Sequence, residues 1–193
     1  MSGVRRFAQW GLWFGGALVL LAAVLIGVDV LMRKFLARSI GGADELAGYS
    51  LAIGTAWGLG AALLDRAHIR IDSLYVLFPQ KLRLALDLVA LALLIGFFGL
   101  VTWHGLGVVS QSWTSGSHSQ SALETPTVIP QLLWLAGLLG FVAIGMLLLI
   151  HALILGWQGH LNRMAKAIST RSAEEEVEEE IRDLVERQEG EAS

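Results

Sequence analysis

Four long apolar segments constrain the fold of this 193-residue chain more than any other feature. A helix that crosses the hydrocarbon core of a bilayer needs about 20 mostly apolar residues. The sequence supplies such stretches at 10–32, 46–64, 84–103 and 130–157. None of them alternates apolar and polar residues with a period of two, as the strands of an outer-membrane barrel do. The sequence therefore predicts an all-α integral membrane protein with four transmembrane helices.

The amino-acid composition and the missing motifs exclude several classes of function. Only 16% of the residues are charged and 54% are hydrophobic, whereas soluble domains average about 25% charged residues. The chain has no cysteine, which excludes disulfide scaffolds, iron–sulfur clusters and thiol catalysis. Phosphate-binding loops and the HExxH and GxSxG motifs are also missing from the sequence. We therefore expect no enzymatic activity, no cofactor and no metal site, and the scattered basic residues do not indicate a nucleic-acid binder.

The basic residues between the apolar segments predict how the helices are oriented. Within residues 1–171, nine lysines and arginines fall on the side that carries both chain termini, and three fall on the opposite side. Because positively charged flanks favour the cytoplasm, we expect both termini there. The first apolar segment is longer than the core of a signal peptide, so we interpret it as an uncleaved anchor.

Two polar regions flank or interrupt this transmembrane domain, which we place at 1–168. Residues 65–79 between the second and third helices mix charges with large apolar side chains, a composition typical of a segment lying in the membrane interface. The tail at 169–193 is strongly acidic, and Ser172 with Glu175 forms a capping box. We expect a cytoplasmic acidic helix there, either solvated or docked on a partner.

Charged residues near the ends of the first two helices are the candidate structural or partner-binding groups. Arg33 lies on the side where the charge rule disfavours it, one helical turn after Asp29. Glu45 follows across the Gly41-Gly42 turn. We expect Arg33 to pair with Asp29, with Glu45 or with a partner subunit. A proton-relay role for Asp29 is the alternative.

Small residues recur every four positions along the second helix. Such a stripe allows another helix to approach closely, either one of this chain's own helices or a helix of a partner. Trp57 falls in the middle of the same span, so we expect it to pack rather than to lie at the interface. The stripe comprises Ser50, Gly54, Gly58 and Ala62.

Four local patterns, taken in order, resemble the small membrane subunit of tripartite ATP-independent periplasmic (TRAP) transporters, the DctQ-like family. The resemblance covers nearly all of residues 5–160, and the acidic tail lies outside it. The most specific pattern is AHIRID, in which His68, Arg70 and Asp72 are candidate structural or partner-binding residues. The patterns are DVLMRKF at 29–35, GADEL at 42–46, AHIRID at 67–72 and TPTVIPQ at 125–131.

The resemblance implies a function that the residues alone do not identify. Small subunits of this family join a large multispan permease subunit in the bacterial inner membrane, and a periplasmic binding protein delivers the substrate. The implied role is a scaffold for cation-coupled uptake of an organic acid. The resemblance identifies neither the acid nor the coupling ion.

Two rival interpretations remain open at the level of the sequence. A self-contained channel or exporter would need polar residues along two or more spans, and Ser50, Thr55 and Thr102 form no continuous stripe. A haem-binding respiratory anchor would need histidine pairs at matching depth in the membrane. His104 and His151 are instead expected near opposite membrane faces.

Overall fold

The computed structural model describes residues 2–65, 78–160, 164–165 and 181. All four helices are long and apolar enough to cross a membrane, which confirms the predicted all-helical, four-span class. Most of the predicted interfacial segment and of the acidic tail lies outside the described residues. The helices are α1 (Ser2–Leu36), α2 (Ala43–Leu64), α3 (Gln80–Ser115) and α4 (Val128–Trp157).

The helices α1 and α3 are longer than the apolar segments that predicted them. They contain 35 and 36 residues, so each is about 53 Å long, well beyond the ~30 Å hydrocarbon core. Residues 104–115, expected in a connection, form the last turns of α3. Gly116 ends this helix in the left-handed conformation (φ 59°), and its N–H bonds back to the carbonyls of Ser112 and Trp113.

The order of the helices in space differs from their order in the chain. The main contacts join α1 to α2, α2 to α4, and α4 to α3. The helices α2 and α4 therefore form the centre of the bundle, and α1 and α3 flank it. The central core contains Leu63, Ile95, Phe141, Ile144 and Leu148.

The flanking helices present extensive apolar surface. In the most apolar stretch of α1 only 17% of the residues are buried within the chain, compared with 33% in α2 and in α4. Large exposed side chains such as Leu20, Val24, Leu93 and Phe97 cover the outer faces. A soluble monomer rarely exposes so much contiguous apolar surface. These faces therefore need lipid or another membrane protein to cover them.

Close contacts define the directions of the helices. Gly15 meets Gly54 while Gly11 meets Trp57, so α1 and α2 are antiparallel. Gly60 meets Ile144, one turn further along α2 and two turns further along α4 than the contact of Ala56 with Gly137. The helices α2 and α4 therefore run parallel, and their N-terminal ends lie on the same side of the bundle.

This arrangement makes the topology testable with reporter fusions. We expect reporters placed at Gly116 and at the C-terminus to report opposite sides of the membrane, with the C-terminus cytoplasmic, because of the bias of basic residues. An alkaline phosphatase and green fluorescent protein pair at each site would measure this. Two reporters on the same side would contradict four crossings.

Candidate functional site

Asp29, near the C-terminal end of α1, organises the chain that follows the helix. Asp29 is only 2% exposed to solvent. Oδ1 accepts hydrogen bonds from the Ser39 hydroxyl (2.9 Å) and from the backbone N–H of Ile40 (2.6 Å). Oδ2 lies 2.5 Å from an Arg33 guanidinium nitrogen. One carboxylate therefore holds the α1–α2 connection against the helix that precedes it.

Arg33 bridges both sides of this connection. Besides Asp29, its guanidinium donates to the Ser39 hydroxyl (3.2 Å) and lies 3.6 Å from the Asp44 carboxylate at the start of α2. Half of the Arg33 side chain stays exposed. Of the two acids that the sequence offered as partners, the structure places Asp29 against Arg33, whereas Glu45 contacts a different part of the chain.

Glu45 joins the first turn of α2 to the loop between α3 and α4. Its Oε2 accepts hydrogen bonds from the hydroxyls of Ser119 (3.0 Å) and Ser121. The loop itself is closed by the backbone bond from the N–H of Ser119 to the Thr125 carbonyl (2.9 Å). Glu45 therefore ties the N-terminal end of α2 to the loop between α3 and α4.

The two connections also pack against each other through apolar contacts. Gly42 has a left-handed backbone (φ 92°), and the side chain of Leu123 occupies the space that a Cβ would take there. Ala122 lies against Gly41 in the same way. We call the group formed by Asp29, Arg33, Ser39, Glu45, Ser119 and Ser121, with these apolar contacts, the junction.

Glycines make the contact between α1 and α2 close enough for backbone to touch backbone. A Cβ added to Gly15 would lie 2.6 Å from the Gly54 carbonyl oxygen, and one added to Gly11 would lie 2.9 Å from the Trp57 carbonyl oxygen. Gly54 belongs to the predicted stripe and lies in this contact. Gly58 does not lie in such a close contact, since a Cβ there would meet only Leu12, at 3.9 Å.

Trp57 of α2 packs against both α4 and α1, in agreement with its expected packing role. Its indole N–H donates to the Leu133 carbonyl oxygen of α4 (2.9 Å). The ring packs against Phe7 and Phe14 of α1. Gly137 of α4 leaves room for this ring, because a Cβ there would lie 2.8 Å from it.

The remaining candidates from the sequence have simpler outcomes. His68, Arg70 and Asp72 lie outside the described residues. The Ser50 hydroxyl donates to the Leu46 carbonyl of its own helix (2.8 Å). Within the described part of the chain, no three His, Asp or Glu side chains are grouped so that they could hold a metal ion.

Fold and polar contacts together define a small four-span membrane protein whose charged groups connect the ends of its own helices. The family model described as "Tripartite ATP-independent periplasmic transporters, DctQ component" matches residues 22–159. This chain belongs to the DctQ family, the small permease component of TRAP transporters, as the sequence patterns predicted. The family is one of transporter components rather than of enzymes. No curated protein and no solved structure matches the chain.

Proposed function

We propose that this chain is the membrane scaffold of a TRAP-type secondary transporter in the bacterial inner membrane. In this proposal a large multispan subunit carries an organic acid across the membrane together with a coupling cation. A periplasmic binding protein delivers the acid to the complex. The small subunit scaffolds the large one and has both termini in the cytoplasm.

The observation that carries the proposal is the distribution of apolar surface between the helices. The flanking helices α1 and α3 bury little within this chain, although both are longer than a bilayer requires. Van der Waals packing and interhelical contacts drive association in membranes, and they need broad helix faces. The exposed faces of α1 and α3 offer such surfaces on two sides of one small bundle.

The contacts of the charged side chains support a structural role for Asp29, Arg33 and Glu45. Asp29 and Glu45 accept hydrogen bonds that join the helix connections, and Arg33 pairs with Asp29. Ionisable residues of a transport pathway face a cavity or the interior of a bundle. The junction instead lies at the ends of the helices, where it gives the scaffold a defined shape. We propose that His68, Arg70 and Asp72 contribute to the partner-facing surface.

Reconstitution tests the division of labour between the subunits. Proteoliposomes that contain only this chain should show no cation-driven uptake of organic acids. Adding the large subunit and the binding protein should produce uptake that depends on all three. The measurement is accumulation of labelled acid under an imposed sodium or proton gradient. Robust uptake by this chain alone would overturn the scaffold proposal.

A further inference from the structure

The helices end at two different levels on the side of the bundle away from the junction. There α1 begins and α2 ends, and the Arg5 guanidinium lies 3.7 Å from the Asp65 carboxylate. The other two helices extend beyond this ion pair, as far as Gln80 in α3 and Trp157 in α4. The offset between the levels follows from contacts that show which residues of neighbouring helices lie opposite each other.

Three glycine contacts relate the levels of neighbouring helices. Since an α-helix rises 1.5 Å per residue, counting along each helix from one contact to the next gives the level of any residue. On this scale Gln80 lies about 18 Å and Trp157 about 13 Å beyond the level of Arg5. The contacts are Gly15 with Gly54, Gly60 with Ile144, and Gly145 with Ile95.

The apolar segments of the four helices are offset in the same direction. Across the bundle, in the order α1, α2, α4 and α3, their midpoints descend step by step away from the junction. The midpoints of the segments at 10–32 in α1 and 84–103 in α3 differ by about 22 Å along the helix axes. A flat hydrocarbon core about 30 Å thick therefore cannot be centred on both flanking helices of an upright bundle.

An upright orientation would also place charged groups within the hydrocarbon. Arg5 is level with the middle of the apolar segment of α3, near Leu93. A bilayer centred on that segment would surround the ion pair of Arg5 and Asp65 with hydrocarbon, and ionised groups are expensive at that depth. The two side chains are 63% and 49% exposed, so the protein itself does not shield them.

Inclining the bundle brings the apolar segments to one depth. Three interaxial steps of about 9 Å each separate α1 from α3 across the bundle, so a tilt of roughly 40° removes the offset between them. The length of α4 gives a similar angle independently. Its apolar segment at 130–157 is about 42 Å long, and it fits a core of about 30 Å at a tilt of roughly 45°.

We propose that the four helices cross the bilayer inclined by roughly 40° within the plane of their row, twice the average tilt of about 20° for transmembrane helices. The surface that fits the bilayer is then an oblique band, which runs from Leu21 in the middle of the α1 segment to Leu93 in that of α3. This tilt accounts for flanking helices longer than an upright crossing requires. The proposal concerns the contact with lipid and is independent of the scaffold function.

Spin-label depths test the oblique band. The chain has no cysteine, so Leu21→Cys, Leu93→Cys and Val108→Cys each provide a single nitroxide site, and all three positions are exposed. The full-length variants are reconstituted in vesicles of phosphatidylethanolamine and phosphatidylglycerol. Power saturation with oxygen and with a water-soluble nickel chelate measures depth. We expect the labels at 21 and 93 to share a depth near the bilayer centre and the label at 108 to lie near the surface.

Leu21 and Val108 form the matched pair, because they lie level along the helix axes. Equal depths for these two labels, with the label at 93 about 22 Å from both, would mean an upright bundle and overturn the proposal. Polarised infrared dichroism of the unsubstituted chain measures the mean helix tilt without any variant, and it should give roughly 40°. A mean tilt of about 20° or less would overturn the proposal even with the labels at 21 and 93 both in hydrocarbon, since the bilayer would then deform around an upright bundle.

Discussion

Gly15→Ala should destabilise the protein by about 1–3 kcal/mol, the range observed for overpacked cores. The added Cβ would lie 2.6 Å from the Gly54 carbonyl oxygen and 3.0 Å from the Gly54 Cα. Both are backbone atoms, so no side-chain rotation relieves the clash and α1 must move away from α2. We expect the melting temperature of the detergent-solubilised protein, followed by fluorescence-detected size exclusion, to fall by several degrees.

The neighbouring glycine is a matched control for this change. A Cβ added to Gly16 meets nothing within 4 Å, so Gly16→Ala should leave the melting temperature unchanged or raise it slightly. Alanine is the better helix former by about 1 kcal/mol in water. Gly58→Ala should also be tolerated, since its nearest neighbour would be 3.9 Å away. Equal melting temperatures for Gly15→Ala and Gly16→Ala would refute the close α1–α2 contact.

The difference between Gly54 and Gly58 shows what a small-residue stripe can predict. Four-residue spacing places both glycines on one face of α2 and indicates that this face allows close approach. It does not say at which turn the facing helix comes nearest. That turn depends on where Gly11 and Gly15 of α1 come opposite α2.

Hydropathy predicted the number of helices but not their ends. A bilayer core selects for about 20 apolar residues, so the four spans stand out in the sequence. Beyond the apolar stretch, the end of a helix depends on local backbone geometry. The polar residues 104–115 resemble a loop in composition, yet they remain helical until Gly116 turns to positive φ. Serine and threonine in that stretch bond to carbonyls of the preceding turn, as Thr114 and Ser115 do.

The two halves of the junction differ in how far apart their residues lie in the sequence, and this decides which half the sequence could predict. Asp29 and Arg33 are four residues apart on one helix, so their pairing follows from helical geometry. Glu45 and its serine partners are 74 and 76 residues apart. The sequence shows a serine-rich loop and an acid at a helix start. Only the packing of α2 beside α4 brings these groups together.

Asp29→Ala should have the largest effect among the charged residues of the junction. The change removes the acceptor for the Ile40 N–H and the Ser39 hydroxyl and the counter-charge of Arg33. Hydrogen bonds to a charged acceptor contribute about 1.5–3 kcal/mol, and the two bonds lost here are part-buried. We expect lower recovery of folded protein and a melting temperature reduced by several degrees. Recovery of a complex with the large subunit should fall in parallel.

The other alanine variants rank how much each charged residue of the junction contributes to stability. Arg33→Ala should be milder than Asp29→Ala, because Asp29 keeps two hydrogen bonds and the lost ion pair is half exposed, worth about 0–1 kcal/mol. Glu45→Ala should resemble Asp29→Ala, since Ser119 and Ser121 lose their shared acceptor. Its adjacent control is Asp44→Ala, whose side chain is 84% exposed, and this variant should behave like the parent.

Asp29→Asn separates the two ways in which the carboxylate acts. Asparagine keeps an oxygen that can accept from Ile40 and Ser39 but has no charge to pair with Arg33. If the hydrogen bonds to the connection dominate, this variant should recover most of the stability that Asp29→Ala loses. A melting temperature as low as that of Asp29→Ala would instead make the charge pair the main contribution. Should Arg33→Ala prove the most damaging variant, Arg33 would supply a contact outside this chain, at the surface where the α1–α2 connection meets its partner.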